Sequence, residues 1–173
     1  TMLWDIRCVY KLWSWHQKNH TKLAVWLDVI SEFDALLSIG NFACNHTDFV
    51  FPEIHEGGFT FQAKGLGHPL LNPQKRVTND LEVNGWSKVI IVTGANMAGK
   101  STFLRTVGVN LVLARIGAPV CASQLRVTPV DLYTNMRTTD SLLKDESYFF
   151  AELKRIKGVL DRLEEGARIF VIL

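Results

Sequence analysis

A chain of 173 residues with 47% hydrophobic and 21% charged content has the apolar mass for a packed core and suits one domain, or one domain plus an appendage. Its formal net charge of +2 gives no electrostatic argument for a nucleic-acid surface within these residues, and no uninterrupted apolar run approaches the roughly 20 residues that span a bilayer. The cysteines Cys8, Cys44 and Cys121 are far apart and form no Cys-x-x-Cys pair, so they are expected as reduced, partly buried thiols of a cytoplasmic protein.

Residues 3 to 40 are helical in pattern. Trp4, Val9, Leu12, Trp13 and Trp15 lie on a first segment, and Asn19-His20-Thr21 is expected as a polar break with Thr21 as an N-cap. Leu23, Trp26, Leu27, Ile30, Phe33 and Leu37 then recur at helical spacing. An aromatic stripe of this kind is expected to be core packing, with a partner-helix interface as the alternative. His16 and His20 are four apart, but no further ligand accompanies them, and they are read as part of a solvated turn. No signal peptide is legible, because Asp5, Arg7 and Lys11 interrupt the first apolar stretch.

Asn41 to Pro52 reads as helix then loop. Gly57-Gly58 is a turn, and Phe59, Phe61 and Ala63 alternate as a half-buried strand does. Gly65-Leu66-Gly67-His68-Pro69 reads as a loop, the stretch to Arg76 as irregular, and Leu81 with Val83 as a short strand before an Asn84-Gly85 turn. This strand is expected to fold back toward the run Lys88-Val89-Ile90-Ile91-Val92-Thr93, itself expected to be a buried parallel strand. Thr102 to Arg115 is a helix closing near Gly117. Gln124 to Thr128 and Asp131 to Met136 are two strands, and Arg137 to Glu146 is a polar loop. Ser147 to Glu165 is an amphipathic helix stopped at Gly166, with its cationic face solvated. Arg168 to Leu173 is a strand pattern with no turn or polar tail after it, which raises the expectation that the chain is a fragment.

Between the expected strand and helix lies Gly94-Ala95-Asn96-Met97-Ala98-Gly99-Lys100-Ser101. The spacing Gly-x-x-x-x-Gly-Lys-Ser in a strand–loop–helix setting predicts a phosphate cradle. Glycines let successive N–H groups curl inward around an anion. Lys100 is placed to reach the β- and γ-phosphates, and the Ser101 hydroxyl to coordinate the bridging Mg²⁺. A glycine-containing βα turn with an incidental lysine is the plainer alternative, and the eight fixed positions weigh against it.

Thr93 to Thr102, TGANMAGKST, resembles the phosphate loop of the MutS family of DNA mismatch-repair ATPases, in which an Asn-Met pair inside the loop is distinctive. Gly67-His68-Pro69 resembles the family's Arg-His-Pro, Val77-Thr78-Asn79-Asp80 its Val/Ile-x-Asn-Asp/Pro segment, and Ile116 to Ala122 its helix end. Asp140-Ser141-Leu142 with Ser147 to Leu153 resembles its Asp-Asp-Leu and Ser-Thr-Phe-Met-x-Glu-Met stretch. The likeness covers about residues 23 to 173 and is dense from 65 onward.

The resemblance implies an α/β P-loop NTPase fold of the ABC-ATPase type, incomplete and preceded by a helical segment. Residues 1–50 would be the tail of a helical core domain and 51–173 the first part of the ATPase domain. ATP and Mg²⁺ are the implied cofactors, held by Gly94, Ala95, Asn96, Met97, Ala98, Gly99, Lys100, Ser101 and Thr102, with Ser101 on the metal. Asn96 would sit beside the γ-phosphate and the attacking water. Ser147 would complete the site of the opposite subunit across a homodimer, or serve as a plain N-cap, or both. Arg76 and Val77 fall where relatives place the adenine contact, with Arg76 in place of a stacking aromatic. Ala95, Ala98 and Cys121 also depart from the family pattern and suggest a divergent branch. The Walker B Asp-Glu pair would follow Leu173. The expectation is therefore nucleotide binding with severely reduced turnover, and DNA contact through the parent protein rather than these residues. An ABC-type ATPase of another class and a non-hydrolysing, ATP-dependent interaction module are the alternatives.

Overall fold

The computed structural model describes residues 2–135 and 148–173. The expected loop at Arg137–Glu146 and Ser147 fall outside the described residues. The chain divides into two compact units, Thr1–Asn45 and His46–Leu173.

The first unit is one helix, α1 (Met2–Asn45). The break expected at Asn19-His20-Thr21 does not form. No proline or glycine precedes Gly40, and the polar side chains bond back into the helix instead. Asn19 Nδ2 donates to Trp15 O at 2.8 Å, and His20 Nδ1 lies 3.2 Å from His16 O. Such i−4 bonds let short polar residues sit inside a helix. The core expected from the aromatic stripe is not found either: Trp4, Trp13 and Phe33 are 70%, 57% and 62% exposed. Within this unit a single helix offers no second layer against which to bury a stripe.

The second unit is mixed α/β. Its larger sheet has the order β1 (Glu53–Ile54), β4 (Gln124–Val127), β2 (Thr60–Leu66), β3 (Asn79–Asn84). The β1–β4 pair is parallel, while β2 runs antiparallel to both β3 and β4. Alternation in β2 sends Phe61 and Ala63 inward, as the sequence predicts, and Phe61 pairs with Val83 on one side and Val127 on the other. Gly65 and Leu66 extend β2 beyond its expected end through an irregularity in register. There Gly65 has φ +58° and its N–H donates to Asp80 Oδ1 at 2.7 Å. The β3 strand thus folds back on β2, not on residues 88–93.

Two helices and a second sheet complete the unit. α2 (Lys100–Arg115) ends in a left-handed Gly117 (φ +76°) with Ala118 N–H donating to Leu113 O at 3.0 Å. α3 (Tyr148–Glu164) ends the same way at Gly166, with Ala167 N–H on Arg162 O. Both are glycine-terminated caps in which a 6→1 bond satisfies an orphan carbonyl. β5 (Asp131–Thr134) and β6 (Ile169–Ile172) form a parallel pair. The core is built from β2, β4, α2 and β6, with Phe61, Leu66, Leu111, Val120 and Val127 almost wholly buried. The Phe170 ring lies 5.9 Å from both Phe59 and Phe61 and joins the two sheets. Asp131 adds a polar tie, accepting from Arg115 at 3.0 Å and from Arg162.

One expected strand is absent. Residues 88–93 pair with nothing among the described residues, and Val89 and Ile91 are 86% and 80% exposed. An apolar, β-branched run becomes a strand only where a neighbour accepts its backbone hydrogen bonds. In this arrangement β3 has turned to β2, and β5 alone pairs with β6.

Candidate nucleotide-binding site

The glycine-bounded loop leads directly into α2. Gly94, Met97 and Gly99 have φ of +154°, +63° and +82°. A non-glycine residue in the left-handed region costs of order 1 kcal/mol, so the loop holds Met97 in a conformation that local preference disfavours. Gly99 is the N-cap of α2 and offers no side-chain cap, and the helix has no acidic residue in its first turn. The N–H groups there are left without an internal acceptor, at the positive end of the helix dipole. That combination favours an anion.

Lys100 Nζ donates to Gly94 O at 2.7 Å and to Ala95 O at 2.6 Å, so the ammonium is folded back over the loop's own carbonyls. Ala98 N–H reaches Ala95 O at 3.3 Å. Asn96, Met97, Ser101 and Thr102 are exposed and Lys100 half-buried. The residues present fit a phosphate chain: a concave backbone, an uncapped helix start and one cation inside the curve. A Ser101 hydroxyl one residue beyond suits a hard, oxygen-seeking cation such as Mg²⁺. Among the described residues no group of three or more His, Cys, Asp or Glu side chains converges as metal ligands.

Arg76 lies in another cluster. Its Nη1 donates to Cys121 Sγ at 2.7 Å and reaches Asp48 Oδ2 at 3.5 Å, its Nη2 donates to Leu71 O at 3.4 Å, and its guanidinium stands 5.4 Å over the Phe49 ring. The side chain is 9% exposed. Stacking on a base would require it to leave all four partners. Val77 is exposed, and Ser147 lies outside the described residues.

Asn110 is a hub that sequence reasoning missed. It is wholly buried in the middle of α2. Its Nδ2 donates to Gly67 O at 3.0 Å and Thr106 O at 2.8 Å, and its Oδ1 accepts from Cys121 N–H at 2.8 Å. An amide among Val107, Val109, Leu111 and Val112 was the available signal, since a polar group inside an apolar helix face is there to be bonded. Beside it, burial together with the nearby Arg105 and Arg76 charges holds His68 below the usual imidazole value. Burial pushes the Cys121 thiol up.

The broad polar depression over the larger sheet is a weaker candidate. Its side chains answer one another: Gln62 Nε2 donates to Glu82 Oε1 at 3.1 Å, and Arg126 Nε pairs with Glu53 at 3.1 Å.

Comparison with known proteins points to one family. Residues 90–173 match the family description MutS domain V. The chain is 31% identical over 171 residues to MutS protein homolog 4 of Mus musculus, covering 96% of this chain and 16% of that protein. It is 30% identical over 161 residues to DNA mismatch repair protein MutS of Clostridium perfringens, covering 89% and 18%. Against DNA mismatch repair protein MutS of Chlorobium chlorochromatii the figures are 32% over 149 residues, 83% and 17%. The chain thus spans less than a fifth of the length of these relatives. These likenesses over most of its length lead to one conclusion: the chain belongs to the MutS family.

Proposed function

We infer that residues 94–101 bind the phosphates of ATP–Mg²⁺ as one half of a nucleotide site in a MutS-type DNA mismatch-repair ATPase. The observation that carries this reading is the uncapped start of α2 behind a loop whose three positive φ angles curl the backbone around Lys100. On binding, Lys100 exchanges the carbonyls of Gly94 and Ala95 for phosphate oxygens, which answer a cation more strongly than neutral carbonyls do. The backbone N–H groups at the start of α2 hold the same anion, and the Ser101 hydroxyl holds the cation. Bound Mg²⁺ neutralises charge on the phosphates and orients them. Asn96, exposed in the loop, orients water or a terminal phosphate oxygen. In the full-length protein the site is completed across a homodimer, and nucleotide turnover is coupled to DNA engagement by domains beyond this chain.

The test is calorimetric titration of ATP–Mg²⁺ into the chain and into Lys100→Ala. The variant should bind at least about tenfold more weakly, the equivalent of roughly 1.4 kcal/mol, with an unchanged melting temperature. Equal affinity for both proteins would overturn the assignment of Lys100 to phosphate. A hydrolysis assay on the full-length protein and its Lys100→Ala variant separates a catalytic role from an interaction module that uses nucleotide only to order a dimer.

A further inference from the structure

A line of hydrogen bonds runs from the first turn of α2 to Arg76. The Thr102 carbonyl accepts from Thr106 Oγ1 at 2.7 Å, and one turn on the Thr106 carbonyl accepts from Asn110 Nδ2 at 2.8 Å. Asn110 then leaves the helix for Gly67 and Cys121. Gly67 N–H donates to Cys121 O at 2.7 Å, so three segments close into one ring. Arg76 holds that ring from the far side. Its Nη1 takes the Cys121 sulfur and Asp48, and its Nη2 the Leu71 carbonyl. Its stem lies so close to Gly67 that a Cβ there would stand 2.5 Å from Arg76 Cδ and 3.0 Å from Cys121 Sγ. Burying a guanidinium this deeply, with its Nε lacking an acceptor among the described residues, is costly. The contacts of its two Nη groups offset that cost.

We propose that Arg76 is a positioning residue for the phosphate site: it touches no nucleotide, and acts on the loop through Cys121, Gly67, Asn110 and α2. This rests on the reading of residues 94–101 as that site. A phosphate cradle needs its donors held within about 0.5 Å of their places. Residues 93–99 are all exposed, so side-chain packing does little to hold the loop, and the donors at the start of α2 stand where α2 stands. Val107, Leu111 and Ala114 decide which side of α2 meets the core, but apolar contact is non-directional. Direction comes from the polar line on the adjoining face, where Thr102, Thr106 and Asn110 follow at four-residue spacing. Loss of Arg76 releases Cys121 and the segment 67–76, loosens the grip on Asn110 and lets the start of α2 wander. The effect falls on phosphate binding whatever group the phosphates carry, because the guanidinium is attached to the helix and not to the ligand.

The experiment is calorimetric titration of ATP–Mg²⁺ and, separately, of inorganic triphosphate with Mg²⁺. The proteins are the unsubstituted chain, Arg76→Ala, Cys121→Ala and the double variant, each well below its melting temperature. Arg76→Ala should weaken both ligands alike, by about fivefold, the size usual for residues that act through a packed network. Cys121→Ala cuts the same line with little loss of volume and keeps the test readable if Arg76→Ala folds poorly; it should weaken both ligands by about threefold. The double variant should bind no worse than Arg76→Ala, since the two residues act in series. Losses that add in the double variant would overturn the route through Cys121. Weaker ATP binding with unchanged triphosphate binding would make Arg76 a contact to the base and overturn the positioning role. A lower melting temperature with both affinities unchanged would make it a structural residue only, leaving the phosphate site standing. Failure of the unsubstituted chain to bind either ligand would overturn the phosphate site and the role of Arg76 with it.

Discussion

Two stretches of this chain carry strong strand signals and end in opposite conditions. Residues 59–66 alternate, and their inward side chains are sealed between β3, β4 and the Phe170 ring. Residues 88–93 are more uniformly apolar, yet the Val89 and Ile91 side chains stand in water. Intrinsic preference favours the second stretch and structure favours the first. A strand is therefore a property of a pair of segments. The alternating run finds a neighbour on each side, in β3 and β4, whereas the apolar run is adjacent to a loop whose own hydrogen bonds hold its end.

The contrast can be broken most forcefully at Phe61. Truncation to Ala at this wholly buried ring should cost about 3–5 kcal/mol, read as a lower urea midpoint. A loss under about 1 kcal/mol would mean that the sheet is not sealed as described. Asn110→Ala comes next. It strands the Gly67 carbonyl and the Cys121 N–H and should cost about 1–3 kcal/mol, measured the same way. Asp131→Ala removes the partner of Arg115 and Arg162, and because these pairs are partly solvated the loss should be roughly 0.5–1 kcal/mol, shrinking in high salt.

A smaller effect sits at His68. Its folded pKa is depressed, so below the ordinary value of 6.5 the unfolded chain binds the proton first. Stability should fall as pH drops through that value and level off once the folded imidazole protonates as well. A His68→Gln variant that keeps the same pH dependence between 5 and 7 would contradict this. Smallest of all is Ile91→Thr. At a side chain 80% exposed the nucleotide-free protein should change by less than about 0.5 kcal/mol, where the same kind of change inside β2 would be costly.

Much of the fold was legible because local signals and partners coincide. The Phe59/Phe61/Ala63 alternation, the glycine stops at Gly117 and Gly166, and the two strands around Pro129 all stand where the residues point. The loop's left-handed positions follow from Gly94 and Gly99 for the same reason. The failures have three physical sources. Asn19 and His20 look like a break, but their side chains reach the carbonyls four residues back. The tryptophans of α1 look like core, but burial needs a second surface that no local pattern can supply. The attachment of Arg76 to Cys121 and Asp48, 45 and 28 residues away, leaves no trace in spacing. Asn110 was hidden in the same manner, since its partners come from Gly67 and Cys121.

Asn110 also sets a mechanical limit. Sliding α2 along its axis by one residue would carry this amide about 1.5 Å and turn it by about 100°, breaking its bonds to Gly67 and Cys121 together. The helix that begins at the phosphate loop therefore has a fixed register against the segments it crosses. It cannot act as a piston. Any signal leaving the loop along α2 must tilt helix and sheet as one body, or travel through the loop's other end at Gly94.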